Sequence, residues 1–170
     1  MNRILICGAN GMVGSNLVEN APKEYKLLTP TIEELNLLDY SNSLKYIQKN
    51  KPDLIIHAAG IVGGIHANVA QPVKFLLENT DMGRNIVWAA YNSGVRAVIN
   101  FGSSCMYPRN GKNPLTEDQI LVGELEPTNE GYALAKIFTQ RLCSYISRES
   151  PEFLFKTVIP CNLYGKYDKF

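Results

Sequence analysis

Apolar and polar positions along this chain fall into short β-prone runs that alternate with stretches of helical period. Ile4–Cys7 predicts a first strand. Met12–Asn20 predicts the helix after it, stopped by Pro22, whose ring removes the amide that another turn would need. Tyr25–Thr29 predicts a weaker strand that turns at Pro30, and Ser41–Lys49 a helix carrying Leu44 and Ile47. Leu54–His57, introduced by Pro52 and Asp53, predicts a fully apolar strand. Val73–Asn92 predicts a long helix with Leu76, Met82, Ile86 and Ala90 available to one face, ended by Gly94. A strand at Ala97–Phe101 follows, then a helix over Glu130–Arg148 that can bury Ala133, Ile137, Leu142 and Ile146. Phe153–Ile159 is a last β-rich run. Strands separated by helices pair in parallel through crossovers, so the pattern predicts an α/β fold with a doubly wound parallel sheet.

At 170 residues there is room for one domain with a sizeable core, and no repeat, low-complexity tract or linker interrupts it. Residues 108–129 form the longest loop-like segment, and loops of that length in a compact domain usually carry function. Charged residues make up 19% of the chain with a formal net charge of +1, and the basic ones are scattered. That balance argues against a nucleic-acid groove or a membrane-binding face. No apolar run approaches the ~20 residues of a membrane span. Residues 1–8 run straight into the first strand with no cleavable leader. Cys7, Cys105, Cys143 and Cys161 lie far apart and form no Cys-x-x-Cys pair, so a reduced, cytoplasmic setting is expected. No metal-ligand array surrounds His57 or His66. His57 reads as a satisfied core or rim histidine, His66 as a helix-entry residue, and Trp88 and the other aromatics as core.

Candidate chemistry begins at Gly8-Ala9-Asn10-Gly11-Met12-Val13-Gly14, between the first predicted strand and its helix. Gly8 permits a tight turn, Gly11 lets backbone amides approach a pyrophosphate, and Gly14 allows close helix–strand packing. The context predicts a Rossmann-type dinucleotide site. An NAD site usually shows a carboxylate about 20 residues on, for the ribose 2′-hydroxyl. Thr29, Pro30 and Thr31 stand there instead, with neither an acid nor an arginine, and the expectation leans to NADP(H) over NAD(H). Asp39 either accepts a hydrogen bond from the adenine amino group or caps the helix that starts near Ser41.

Tyr132 and Lys136 are one helical turn apart and point the same way. Such a pair arises by chance about once in two chains of this composition, so its weight comes from the glycine loop upstream and from Ser103 at a strand exit. A phenol, with a pKa of about 10, is a poor proton carrier at neutral pH, and a nearby ammonium is expected to lower that value. Ser103 is placed to polarise a substrate carbonyl. Cys105 follows two residues later, on the same face as Ser103 if the segment is extended. It is either a buried, inert thiol or a base acting on carbons beside a ketone.

Longer strings carry a family resemblance. They are Glu34-Leu35-Asn36-Leu37-Leu38-Asp39, Val62-Gly63-Gly64-Ile65 with Ala67-Asn68, and Gly102-Ser103-Ser104-Cys105-Met106-Tyr107-Pro108. Leu125-Glu126-Pro127-Thr128-Asn129-Glu130 runs on into Tyr132-Ala133 and Ala135-Lys136-Ile137, and Asn162-Leu163-Tyr164-Gly165 comes last. The set is similar to the GDP-L-fucose synthase family, the GDP-4-keto-6-deoxy-D-mannose 3,5-epimerase/4-reductases of the extended short-chain dehydrogenase/reductases. The resemblance implies epimerisation at carbons 3 and 5 with Cys105 as a base. Reduction at carbon 4 by NADPH follows, with Tyr132 as proton donor and Lys136 and Ser103 assisting. Its implied cofactor contacts are Gly8, Asn10, Gly11, Met12, Val13, Gly14, Asp39, Ala58, Ala59, Gly102, Ser103, Lys136, Pro160, Asn162 and Leu163. A GDP-linked keto-deoxy sugar is the implied partner, and a homodimer packed through residues 73–92 and 130–148 the implied assembly. Gly131 stands where the family has a proline, and Cys161 where it has a threonine. Family members run to about twice this length, so residues 1–170 match a cofactor-binding portion, with the family's catalytic histidine and nearly all of its sugar domain beyond Phe170. Two rivals stand beside this reading: another nucleotide-sugar epimerase/reductase of the same branch, and a non-catalytic dinucleotide-binding module.

Overall fold

The structure, a computed structural model, describes residues 3–168. Five parallel strands form one sheet: β1 (Arg3–Cys7), β2 (Lys26–Leu28), β3 (Leu54–His57), β4 (Ala97–Phe101) and β5 (Leu154–Val158), in the order β2-β1-β3-β4-β5. The helices are α1 (Met12–Asn20), α2 (Tyr40–Asn50), α3 (Ile65–Ala70), α4 (Pro72–Asn92) and α5 (Glu130–Glu149). The chain leaves β1 toward β2 and then crosses to β3 on the other side. This reversal opens a crevice at the carboxyl ends of β1 and β3, where ligands of such sheets bind.

Register explains why the strands read as continuous apolar runs. Leu5, Ile55, Val98 and Phe155 lie side by side, and one step along Cys7, His57, Asn100 and Thr157 do the same. The first row is at most 2% exposed, sealed beneath α2, α4 and α5. The opposite face presents Ile4, Ile6, Leu54 and Ile56, packed with Leu17 of α1. Beyond α1 that face is open, and Leu154 and Val158 of β5 are 60% and 43% exposed.

The predicted elements are present with small shifts at their ends. Helix α4 begins at Pro72, a position where a missing amide costs nothing. Its buried seam is Phe75, Asn79, Gly83, Ile86, Val87 and Ala90, so Leu76 and Met82 sit at its edge. Gly83 lies at the α4–α5 contact, where an added Cβ would stand 2.0 Å from Thr139 Oγ1. Trp88, expected in the core, is instead 41% exposed, because two residues from Ile86 and Ala90 is the far side of the helix. Within 108–129, Ile120 and Leu125 pack with Met106, Ala133 and Ile137 as a second small core that pins the segment to α5. Among the described residues no helix is long and apolar enough to cross a membrane, and no cluster of side chains fits a metal ion.

Candidate active site

The glycine loop is built as its spacing predicts. Gly8 has φ +83°, a left-handed backbone that favours glycine, and a Cβ there would meet Ala59 Cα at 2.7 Å. At Gly14 a Cβ would stand 2.1 Å from the Gly8 carbonyl oxygen, so α1 starts directly against the loop. Gly11 precedes α1 without any side-chain cap, which leaves the first amides of the helix free to meet an anion. The loop forms one wall of a crevice of about 350 Å³ lined by Asn10, Gly11, Thr31, Asn36, Ala58 and Gly60 among others. Among the described residues no lysine or arginine lines it. Space without side chains beside an uncapped helix end fits a dinucleotide pyrophosphate.

Gly60 leads from this crevice to the catalytic candidates: a Cβ on it would come within 3.4 Å of Lys136 Nζ. Lys136, on α5, is 7% exposed and donates from Nζ to the Phe101 carbonyl oxygen at the end of β4, 3.0 Å away. Its Nζ lies 5.6 Å from the centre of the Tyr132 ring, one turn earlier. Ser103 heads a short 3-10 turn, Ser104–Met106, and its Oγ accepts from the Cys105 amide at 3.3 Å. The segment is therefore not extended as the spacing suggested. Even so, both Ser103 and Cys105 act on Tyr132, Ser103 through a side-chain hydrogen bond and Cys105 electrostatically. The structure thus brings Ser103, Cys105, Tyr132 and Lys136 to one place at the end of the crevice.

The expected direction of tuning is reversed. Burial, with the Cys105 charge adding to it, pushes the Tyr132 phenol up to about 12 against a smaller opposing effect of Ser103. Burial also pushes Lys136 down to about 8, so its charge is held at a cost. A desolvated lysine bonded to a carbonyl has little left to offer the phenol. Tyr132 is consequently protonated across the physiological range, the state a proton donor needs. His57 is buried beneath the site, pushed down to about 3 by burial and by the Lys136 charge, and neutral. It is core but not satisfied, since among the described residues no partner meets its Nδ1.

A family model described as the NAD dependent epimerase/dehydratase family matches residues 4–170. The chain belongs to that family. It is 57% identical to a GDP-L-colitose synthase of Yersinia pseudotuberculosis, over 99% of this chain and 55% of that protein. A GDP-L-fucose synthase of Escherichia coli (strain K12) is 39% identical over 99% of this chain and 53% of its own length. The chain spans about half the length of the curated relatives it matches. Among solved structures, a GDP-L-fucose synthetase from Naegleria fowleri bound to NADP superposes with a TM-score of 0.89 at 30% identity, over 98% of this chain and 56% of that one. MlghC, a GDP-mannoheptose C4 reductase from Campylobacter jejuni with NADP bound, gives 0.92 at 33%, over 99% and 54%.

Several predicted contacts of this epimerase/dehydratase chain fall elsewhere. Asp39 caps α2, its Oδ1 accepting from the Asn42 amide at 3.1 Å, and the crevice is lined by Asn36, Leu37 and Leu38 instead. Met12 and Val13 turn their side chains into an apolar hollow beside α1, so only their amides face the loop's anion site. Gly102 serves packing, since a Cβ there would meet Met106 Sδ at 2.9 Å. Pro160 and Asn162 line neither this crevice nor the hollow beside α1, and Leu163 lines that hollow. Residues 160–168 are drawn that way because Lys166 pairs with Glu19 and its carbonyl accepts from Asn16 Nδ2 at 2.8 Å.

Sequence reasoning missed two asparagines. Asn79 Oδ1 accepts from the Ile61 amide at 2.8 Å while its Nδ2 donates to the Ile61 carbonyl at 3.1 Å, which clamps the loop beside Lys136. A polar residue inside the apolar seam of α4 was the available signal. Asn129 Nδ2 donates to Cys105 Sγ at 3.2 Å.

Proposed function

We propose that the chain is the cofactor-binding and proton-transfer portion of an NADP(H)-dependent enzyme of the GDP-L-fucose synthase type. Its reaction is 3,5-epimerisation and then 4-keto reduction of GDP-4-keto-6-deoxy-D-mannose. The observation that carries this reading is the convergence of Ser103, Cys105, Tyr132 and Lys136 at the end of the glycine-loop crevice. The loop amides and the first turn of α1 hold the pyrophosphate, while Ala58, Ala59 and Gly60 line the way to the nicotinamide end. Bound NADPH supplies the hydride. Tyr132, protonated, gives its proton to the ketone oxygen, and Ser103 both orients that phenol and favours the phenolate left behind. Lys136, held by Phe101, stands beside the ring as a fixed positive charge. Cys105, as thiolate, removes protons made acidic by the neighbouring ketone. Thr31 and Asn10 meet the 2′-phosphate through hydrogen bonds in place of a basic residue.

A second reading, that the physiological substrate is the keto-sugar precursor of GDP-L-colitose, is favoured by the 57% identity to the colitose enzyme. The four free cysteines suit a reducing cytoplasm. Exposed Leu77 and Trp88 on α4 with Leu134, Phe138 and Tyr145 on α5 form an apolar strip suited to a homodimer. Calorimetric titration with NADPH and NADP, followed by assay on the fucose and colitose precursors, tests the function. Binding without turnover, and without deuterium exchange beside the ketone, rejects the catalytic reading and leaves a dinucleotide-binding module.

A further inference from the structure

Asn129 immediately precedes α5, where asparagine is favoured because its side-chain oxygen accepts from the first helical amides. It does not do so here: no side-chain hydrogen bond caps α5 at Asn129. A 3-10 turn, Pro127–Asn129, leads directly into α5 and has its own cap, Glu126, whose Oε1 accepts from the Thr128 amide at 3.2 Å. Freed of capping, the Asn129 side chain turns to Cys105 and donates from Nδ2 to Sγ at 3.2 Å. Its Oδ1 is buried with no partner among the described residues. A residue that forgoes its usual local bond and leaves an acceptor orphaned is held by something else.

From this contact, we infer that Asn129 is the positioning residue for Cys105, aiming its sulfur and stabilising the thiolate. The inference rests on the reading of Cys105 as the base given above. Three features point the same way. Sγ sits against the start of a 20-residue helix, whose positive end favours an anion. The Nδ2 bond is charge-assisted when the sulfur is ionised. Among the described residues, the titratable groups around Cys105 are two phenols and no cation: Tyr132, on α5, and Tyr107, packed on the same small core. Ser103 Oγ accepts from the Cys105 amide and not from its sulfur, and the other residues of the small core that Cys105 packs on, Met106, Ile120, Leu125, Ala133, Ile137 and Ile159, are apolar. In the exchange step a carbon–hydrogen bond beside the ketone breaks and a sulfur–hydrogen bond forms, while the electron pair moves to the ketone oxygen as an enolate. A carboxamide suits both states, because it donates to the thiolate through Nδ2 and accepts from the thiol through Oδ1.

The test is the pH profile of Cys105 alkylation by iodoacetamide, in a Cys161→Ser background because Cys161 is the exposed cysteine. Modification is located by peptide mass mapping and unfolding is followed by circular dichroism. Asn129→Asp keeps shape and helix-start preference but presents an acceptor to the sulfur. We expect its Cys105 alkylation rate near neutral pH to fall about tenfold, with the profile moved upward by about one unit. Asn129→Leu should fall about threefold, on the scale of one lost hydrogen bond. Profiles superimposable on wild type in folded variants overturn the inference. Should Asn129→Leu unfold, Asn129→Asp carries the test alone. The outcome is separable from that of the proposed function: shifted profiles with undiminished deuterium exchange in Cys105→Ala would keep Asn129's role and reject the base.

Discussion

Tyr132 shows how a buried site can prepare an acid by making it weaker. Under the proposed function, burial that pushes the phenol up to about 12 keeps the proton in place until hydride transfer makes the ketone oxygen a strong base. Tyr132→Phe should therefore lower reductive turnover by about 10²–10⁴-fold with NADPH affinity nearly unchanged, measured by stopped-flow absorbance and calorimetry. Cys105→Ala should abolish deuterium exchange beside the ketone with a smaller effect on hydride transfer, read by mass spectrometry of recovered sugar nucleotide. Lys136 gives a prediction in stability. Its folded value near 8 lies below the ordinary 10.5, so between those values the unfolded chain holds a proton that the folded chain has lost. Stability then grows as pH rises from about 8 to 10.5, and the cost of the buried charge is fully present below 8. Lys136→Met should remove that slope and stabilise the chain near neutral pH by about 2–3 kcal/mol, measured by urea denaturation across the range. Under the proposed function, activity and stability are opposed at this residue.

At the scale of elements, the contact between α4 and α5 decides where the site residues stand. Gly83 lets α5 lie against α4, and Gly83→Ala would drive a methyl into Thr139. The expected loss is about 1–3 kcal/mol in spite of alanine's better helix propensity, with most of it recovered by adding Thr139→Ala. Thermal unfolding of the single and double variants checks both halves. The same contact shows what was legible beforehand. Helical geometry alone fixed Tyr132 and Lys136 on one side of α5, and the strand–loop–helix order fixed the glycine loop. The direction of the Tyr132 shift was not legible, because it depends on burial by elements distant in sequence. Helix α3 was signalled only by the helix-entry reading of His66, and the 3-10 turns escaped notice, since six residues or fewer display no full apolar period. Asp39 was ambiguous for a local reason: a carboxylate before a helix satisfies capping and ligand binding with the same atoms. Asn129 shows the reverse, a helix-start residue whose side chain leaves the helix uncapped and turns to Cys105.

For the whole molecule, the two faces of the sheet have different fates. One is sealed by three helices whose outer sides carry Trp88 and Phe138, the surface proposed for self-association. Phe138→Glu should convert a dimer to monomer in light scattering while leaving NADPH affinity unchanged, because the crevice opens at the strand ends and away from that surface. The other face carries the exposed Leu154 and Val158 beyond α1. Greasy strand positions beside water make this chain prone to clouding at high concentration, and they dictate how it should be handled. A lysine in place of Leu154, far along the strand from Gly102 and the loop of Ser103, offers a soluble sample whose chemistry is untouched.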